Sequence, residues 1–336
     1  MRKLANHLSH EQALAKLAQE TAPRQTLSFY RYVIVEEPEK LRDELFVSWT
    51  ELGVLGRVYV SREGINAQIS LPKPNVEKFR ALIDASPYFA NVPFKYAIEE
   101  PTIAFWKLAI KVKRQIVADN LPADTYDITN VGKHLNAVQF HEEMNNGATV
   151  VDMRNKYESD IGHFDGAVTP NSQTFGEELQ EVINTLADKK DEKILLYCTG
   201  GIRCEKASAF LKHHGFADVN QLYGGIINYK HEIEEQGLAS KFIGKNYVFD
   251  GRGAEKVTDD VIGKCFNCAS PADTYTNCPN DMCHALFIQC ANCATSLLGA
   301  CSDECRQIVA LPMDERVKLR KGQKATLKVL SSLSQS

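Results

Sequence analysis

Apolar and polar positions alternate along the first third of the chain in a way that separates strands from helices. Residues 26–35 (TLSFYRYVIV), 56–71 (GRVYVSREGINAQISL) and 105–117 (FWKLAIKVKRQIV) are strand-like, and the second stretch contains a hairpin turn. One amphipathic helix is predicted in each gap between these stretches. The resulting β-α-β-β-α-β order predicts a ferredoxin-like split βαβ domain over residues 26–120, behind a helical lead over residues 1–25.

Continuous apolar runs alternating with helices indicate a second domain. TVVDMR (149–154) and KILLYC (193–198) are typical of buried strands, and helical patterns follow each of them. This alternation predicts a small α/β domain with a parallel sheet over residues 134–240. A linker rich in turn-forming residues precedes it at 121–133.

The ten cysteines change this picture, because eight of them lie within one stretch near the C-terminus. They form four pairs: Cys265-x2-Cys268, Cys278-x4-Cys283, Cys290-x2-Cys293 and Cys301-x3-Cys305. Eight thiolates suffice for two structural zinc sites with four cysteine ligands each, and the spacing fits both sequential and interleaved pairing. An iron–sulfur cluster is the alternative.

The chain therefore divides into α+β and α/β domains followed by a cysteine-rich zinc-binding module over residues 265–310. A connector over 241–264 precedes the module. A basic flexible tail over 311–336 follows it, since six basic residues and no acidic one occur between Arg316 and Lys328.

Net charge and hydropathy limit the classes of partner. A formal charge of -4 and a pI near 6.2 argue against a generally basic protein that coats nucleic acid. No apolar run is long enough to cross a membrane, and the N-terminus has no apolar signal segment. We therefore expect a cytoplasmic protein with no membrane partner, while protein partners cannot be read from the sequence.

The loop YCTGGIRCEK (197–206) contains the thiol that we expect to be the most reactive. Cys198 ends an apolar strand just before a helix, so the backbone N–H groups of the loop and the helix dipole would stabilise a thiolate or a persulfide there. The loop backbone consists of Thr199, Gly200, Gly201 and Ile202. The alternative interpretation, without a catalytic role, is a buried cysteine before an ordinary glycine-rich turn.

Two further residues of the loop are catalytic candidates, Arg203 and Cys204. The Cys198-x4-Arg203 ring is tighter than the Cys-x5-Arg ring of cysteine phosphatases, which argues against phosphatase activity. Cys204 either resolves a persulfide on Cys198 as a disulfide or is a small packed residue of the helix.

The central domain resembles the rhodanese family. VDMRNKYESDIGHFDGA (151–167), CTGGIRC and YGGI carry the resemblance. It implies that Cys198 is a sulfur-carrying nucleophile and that Arg203 closes the loop. Asp152, Arg154 and His163 are then expected to be structural hydrogen-bonding residues.

The whole chain, from about residue 25 to 305, resembles the bacterial tRNA uridine(34) hydroxylase (TrhO) family. SFYRYV, GRVYVSREGINAQIS, YCTGGIRCEKASAF, FIGKNYVFD and NCPNDMCHALFIQC carry this resemblance. It implies a monooxygenase-type oxidoreductase that uses molecular oxygen to convert the wobble uridine to 5-hydroxyuridine in the anticodon loop of tRNA. No flavin, haem or nicotinamide signature accompanies it.

Candidate tRNA contacts lie on two segments of the first domain. FWKLAIKVKR mixes the aromatic residues Phe105 and Trp106 with cations, and a second group lies at the tip of the predicted hairpin. The candidates are Arg62, Asn66, Lys107, Lys111, Lys113 and Arg114. The alternative interpretation is that these residues form a solvated sheet face that does not bind tRNA.

Two other functions stay open at this point. One is a rhodanese-type sulfurtransferase that passes persulfide sulfur to a small-molecule or tRNA acceptor, which would need only the central domain. The other, an inactive rhodanese used as a binding module, is disfavoured because Cys198 and its glycines are intact.

Overall fold

The alternating strands of the N-terminal domain form one sheet with an apolar and a polar face. The computed structural model describes residues 4, 6, 8–99, 103–122, 124–322 and 328–331 of the chain. The elements of this domain are α1 His10–Leu17, β1 Arg24–Tyr32, α2 Pro38–Glu51, β2 Leu55–Ser61, β3 Gly64–Pro72, a 3-10 turn Lys73–Asn75, α3 Val76–Asp84, β4 Lys95–Tyr96 and β5 Leu108–Val112. Phe29 of β1, Trp49 of α2 and Phe79 of α3 pack together in the core on the apolar face. The polar face is left free for another domain.

The edges of this sheet differ from the prediction. The strand order is β4-β1-β3-β2-β5, and all neighbours are antiparallel except β2 and β5. The predicted last strand exists as β5 but pairs with β2, whereas the short β4 occupies the place beside β1 that the ferredoxin-like arrangement requires. Ile110 of β5 is buried beside Val58 of β2, so this position extends the core.

The central domain is a parallel sheet covered on both faces. Its elements are β6 Lys133–Leu135, α4 Ala137–Asn145, β7 Thr149–Asp152, α5 Lys156–Ser159, β8 Gly162–Phe164, α6 Phe175–Thr185, β9 Lys193–Tyr197, α7 Ile202–His213, β10 Asp218–Leu222 and α8 Gly225–Glu235. The strand order is β6-β10-β9-β7. Leu195 and Leu196 of β9 enter apolar clusters on opposite faces, as expected of a buried parallel strand.

The predicted linker at 121–133 lies against this domain. Tyr126 packs edge-on against Phe210 of α7, and its hydroxyl donates to Asp119. The Gly132 N–H donates to the Ser208 hydroxyl, also on α7. The segment therefore fixes the first domain against α7.

The C-terminal region begins inside the predicted connector. Its elements are β11 Phe242–Tyr247, β12 Ala254–Lys256, β13 Tyr275–Asn277, β14 Leu286–Ile288, α9 Ala291–Ser296, α10 Asp303–Val309, α11 Met313–Arg320 and β15 Val329–Leu330. β11 pairs with both β8 and β12, so residues 241–264 belong to a small sheet shared with the central domain.

The basic segment after residue 311 also differs from the flexible tail that composition predicts. Arg316 and Arg320 of α11 each lie 3.8 Å from Asp281, and β15 pairs with β14. These contacts order two stretches of the segment. Residues 323–327 and 332–336 lie outside the described residues. Within the described ranges, no helix has both the length and the hydrophobicity that a membrane span requires.

Candidate active site and metal centres

Cys198 lies in the loop between β9 and α7. It is buried, and the Gly201 N–H donates to its Sγ at 3.1 Å. Gly201 has φ +95°, a left-handed conformation that favours glycine, and α7 begins directly after it. The loop thus turns its backbone toward the sulfur, as the sequence predicts.

The turn before α8 fixes the other side of the loop. A Cβ atom on Gly225 would lie 2.5 Å from the Cys198 carbonyl oxygen and 2.6 Å from that of Thr199. The N–H groups of Ile226 and Ile227 donate to these two oxygens. The glycines of the YGGI segment therefore allow α8 to approach the loop closely.

The surroundings of Cys198 favour the thiolate. Burial raises the pKa of this thiol, but a hydrogen bond from Cys204, the Arg203 charge and the backbone N–H groups of both residues outweigh it and lower the pKa to about 5. Burial and the Cys198 charge raise the pKa of Cys204 well above its usual value. At neutral pH, Cys198 is therefore a thiolate that accepts a hydrogen bond from a protonated Cys204.

Arg203 points toward the interior of the central domain. Its guanidinium donates to both carboxylate oxygens of Glu158, at 2.6 Å and 2.8 Å, and the Glu158 side chain is fully buried. This ion pair ties the first turn of α7 to α5. The geometry agrees with the loop-closing role that the resemblance implies.

Asp152 and Arg154 form a buried ion pair, a contact that agrees with the structural role implied by the resemblance. Arg154 donates to both oxygens of Asp152 (2.8 Å and 2.7 Å), and the Tyr197 hydroxyl donates to Asp152 at 2.7 Å. All three side chains are buried. His163 lies nearby with Nδ1 2.9 Å from the Ser159 carbonyl oxygen.

A cavity of ≈ 500 Å³ separates the active loop from the polar sheet face of the N-terminal domain. This volume is within the range of small-molecule sites. The N-terminal domain contributes Ser28, Tyr30, Arg57, Tyr59, Asn66, Gln68 and Lys95 to its lining. The loop contributes Cys198, Thr199, Gly200, Ile202 and Arg203, and the C-terminal region contributes Val248, Phe249, Asp250 and Arg252. All three regions therefore form one site.

Several lining residues were not among the sequence-based candidates. Period-two alternation along β1 and β3 places Tyr30 and Gln68 on the same face as the candidate Asn66, so this signal was available. Lys95 gave no signal, because a strand of two residues has no periodicity.

Three of the six candidate tRNA contacts lie on this polar face. Asn66 lines the cavity, and its side-chain amide donates to the Ile116 carbonyl at 3.2 Å. Lys111 pairs in register with Tyr59, so it lies on the same sheet face, and the Lys113 ammonium lies 5.6 Å from the Tyr59 ring centroid. Both lysines are exposed.

The other three candidates, like Lys111 and Lys113, do not line the cavity. Arg62 is 74% exposed and pairs with an exposed glutamate. The Lys107 ammonium lies 4.2 Å from the Trp106 ring centroid, Phe105 is buried, and Arg114 borders a separate groove. The structure does not bring these cations to the Cys198 loop.

The eight clustered cysteines form two groups of four with interleaved pairing. One group is Cys265, Cys268, Cys290 and Cys293, and the other is Cys278, Cys283, Cys301 and Cys305. Within each group the ligand atoms lie within 4.8 Å of one another. His284 belongs to neither group.

The spacing of the sulfur atoms fits a tetrahedral metal. The Sγ atoms of Cys268 and Cys290, and those of Cys283 and Cys301, are 3.7 Å apart. Four thiolates around zinc at about 2.3 Å would be separated by about 3.8 Å. Both groups could therefore hold a metal ion.

Comparisons with known proteins agree with this architecture. Residues 24–116 match the UPF0176 acylphosphatase like domain, residues 136–232 the rhodanese-like domain, and residues 243–306 the rhodanase C-terminal family. These matches confirm the predicted fold class. The structure of a rhodanese-related protein from Thermoplasma volcanium is 25% identical and covers 32% of this chain and 95% of its own. Its TM-score is 0.26.

Relatives match nearly the whole chain. A tRNA uridine(34) hydroxylase from Leptospira interrogans is 51% identical over 96% of this chain and 88% of its own. A tRNA uridine(34) hydroxylase from Cronobacter sakazakii is 44% identical over 98% of this chain and 95% of its own. This chain belongs to the tRNA uridine(34) hydroxylase family.

Proposed function

We propose that this protein is an enzyme that hydroxylates the uridine at position 34 of tRNA to 5-hydroxyuridine. The observation that carries the proposal is the ≈ 500 Å³ cavity in which the Cys198 thiolate faces a polar sheet from another domain. Asn66 and Gln68 offer amide donors and acceptors there for the polar edge of a uracil base. A sulfurtransferase would need only the central domain, so the shared cavity favours the hydroxylase.

Cys198 is the proposed reactive group, and two roles fit its position. Its thiolate could add to carbon 6 of the uracil, which places an electron pair on carbon 5 that then attacks molecular oxygen to give a 5-hydroperoxide. Two equivalents of a cellular thiol would reduce the peroxide to the hydroxyl group and water, forming a disulfide, and loss of the carbon 5 proton would expel the Cys198 thiolate. Alternatively, the outer sulfur of a Cys198 persulfide could take up the second oxygen atom, so that the persulfide is oxidised by two electrons to a sulfenic acid while the uridine keeps the first oxygen as its hydroxyl group. Trapping of persulfides followed by mass spectrometry separates these roles, because the first needs no persulfide.

Molecular oxygen is the proposed source of the hydroxyl oxygen. A host that lacks 5-hydroxyuridine, carrying this gene, would be grown under isotopically heavy molecular oxygen, and in parallel in heavy water with ordinary oxygen gas. We expect the label in the nucleoside only from the gas. A label that comes only from water would overturn the monooxygenase assignment.

The substrate would be held by its phosphates as well as its base. Lys111 and Lys113 extend the polar sheet face beyond the cavity, and Arg57 lies within it. Cations in this arrangement suit the backbone of an anticodon loop around an unstacked base. With tRNA as its substrate, the protein would act in the cytoplasm.

Zinc is the proposed metal of both cysteine groups. Four thiolates close each site, so the ion would have no open position for a substrate and would supply folding free energy alone. Tyr275, the first residue of β13, donates its hydroxyl to the Tyr157 carbonyl of the central domain at 2.8 Å. The metal would thereby stabilise the contact between the cysteine-rich module and the central domain.

A further inference from the structure

Lys95 is a buried cation at the boundary between the first two domains. It belongs to β4, where it pairs with Ser28 of β1, and only 4% of its surface is exposed. Its ammonium lies 4.4 Å from the centroid of the Tyr30 ring, a distance typical of a cation–π contact. Lys95 lines the same cavity as Cys198.

The contacts of Lys95 lead directly to the active loop. A Cβ atom on Gly200 would lie 3.6 Å from Lys95 Cδ, so the aliphatic stem of the lysine lies against the loop backbone. Tyr30, which supports the ammonium, donates its hydroxyl to Glu205 of α7 at 2.9 Å. The position of Lys95 relative to Cys198 is therefore fixed from two sides.

The charges around Cys198 are unevenly compensated. Arg203 lowers the pKa of Cys198, but its charge is partly offset by its two-point pair with Glu158. Burial raises the pKa of Glu178 well above its usual value, which favours the uncharged form of this neighbouring carboxyl. In the part of the chain that the structure describes, no carboxylate oxygen lies within 4.0 Å of the Lys95 ammonium. Of Lys95 and Arg203, Lys95 is thus the cation without a carboxylate partner at close range.

Glu205 is the acidic residue bound to Tyr30, and its carboxylate is hydrogen-bonded to residues other than Lys95. Its carboxylate accepts hydrogen bonds from Tyr30 and Gln221 and contacts His134 Nε2 at 2.9 Å. Burial lowers the pKa of Lys95 to about 8, while the charges of Cys198 and Glu205 act in the opposite direction. Lys95 consequently keeps its proton at neutral pH.

We infer that Lys95 is a positioning residue of the active site: the N-terminal domain supplies through it the ammonium charge that favours the thiolate of Cys198. A buried ammonium without a close carboxylate costs folding free energy, which is consistent with a role in reactivity rather than in stability. The N-terminal domain would then complete the active site in addition to binding substrate. The effect on the thiol stands independently, whereas any effect on turnover rests on the proposed function.

The test is the pH profile of Cys198 alkylation by iodoacetamide, followed by peptide mass spectrometry. We expect Lys95→Met to move the midpoint upward by roughly one pH unit, because an opposite charge is lost. Lys95→Arg keeps the charge and should keep the midpoint. Lys78→Met, an exposed lysine on α3 at the far face of the sheet, is the matched control and should also keep it.

Two outcomes would overturn the inference: an unchanged midpoint in folded Lys95→Met protein, or an equal shift in Lys95→Arg. Since Lys95→Met removes a buried charge, we expect this variant to have a melting temperature no lower than that of the wild type. If Lys95→Met does not fold, Lys95→Gln is used in its place. Hydroxylation of tRNA is assayed on the same proteins. A shifted midpoint without hydroxylation by the wild type would refute the proposed function alone, and hydroxylation with an unshifted midpoint would refute the inference alone.

Discussion

Arg203 and Glu158 form a two-point ion pair behind the active cysteine, with N–O distances of 2.6 Å and 2.8 Å. Glu158 is fully buried on α5, and Arg203 lies in the first turn of α7. The pair therefore ties the active loop to α5. Because the Arg203 charge also lowers the pKa of Cys198, the pair links the stability of the fold to the reactivity of the thiol.

Glu158→Gln should destabilise the protein. Neutralising one partner of a buried pair leaves the other charge uncompensated, at a cost of about 3 kcal/mol in the free energy of unfolding. Urea denaturation measures this change. Glu192→Gln is the control, because Glu192 forms an exposed pair with Lys189 at 3.0 Å and should contribute less than about 1 kcal/mol. Equal effects of the two substitutions would contradict the structural role of the Glu158 pair.

Cys204→Ala should weaken the Cys198 thiolate. The Cys204 thiol donates to Cys198 and helps lower its pKa to about 5, so removing this donor raises that pKa. The thiolate predominates above the pKa and is lost as the pH falls through it. As the pH is lowered, alkylation of Cys198 should therefore decline at a higher pH in Cys204→Ala than in the wild type. Cys204→Ser keeps a donor and should shift the profile less. A wild-type profile in Cys204→Ala would show that the hydrogen bond has no such effect.

Gly201→Ala should impair activity more than its backbone strain explains. An alanine there would adopt φ +95° and place Cβ 3.0 Å from the Tyr30 hydroxyl oxygen. Gly215→Ala is the matched control, since Gly215 has φ +87° but open space around it. Each substitution should cost about 1 kcal/mol in strain, and Gly201→Ala alone should reduce tRNA hydroxylation.

Tyr30→Phe offers a second check on the same contact. It removes the hydroxyl oxygen that the new methyl group would meet, so the double variant with Gly201→Ala should recover part of the lost activity, measured relative to Tyr30→Phe alone. Equal activity of Gly201→Ala and Gly215→Ala would contradict the importance of the contact.

The interleaved metal groups predict which cysteine pairs act together. Cys265 and Cys290 belong to one group and Cys278 to the other. Native mass spectrometry should find one zinc ion in Cys265→Ser/Cys290→Ser and none in Cys265→Ser/Cys278→Ser. Sequential pairing would give the reverse result. Iron and inorganic sulfide in the wild-type protein would overturn the assignment of zinc.

The sequence was most informative where local patterns determine structure. The apolar run of β9 and the glycines after it placed Cys198 at a strand end before a helix, as observed. The chain order of strands did not reveal which edge β5 would join, since both edges can accept a strand. The sequence therefore does not place Lys107 and Arg114 relative to the other domains, and neither residue lines the cavity.

Features that depend on long-range packing could not be predicted. The spacing of the cysteine pairs allows sequential and interleaved groups equally, because the intervening loops are long enough for both. Lys95 reaches the cavity through a strand of two residues, and its burial depends on contact with a loop about 100 positions later in the chain. Only the assembled domains define that contact.

The central claim is that Cys198, in a cavity shared by three regions of the chain, is essential for hydroxylation of uridine 34. The most direct test is mass spectrometry of tRNA nucleosides from a host that lacks 5-hydroxyuridine and its derivatives, expressing either the wild type or Cys198→Ser. We predict 5-hydroxyuridine at position 34 with the wild type and none with the variant at equal protein levels. No 5-hydroxyuridine with the wild type, or equal amounts with both proteins, would contradict the account.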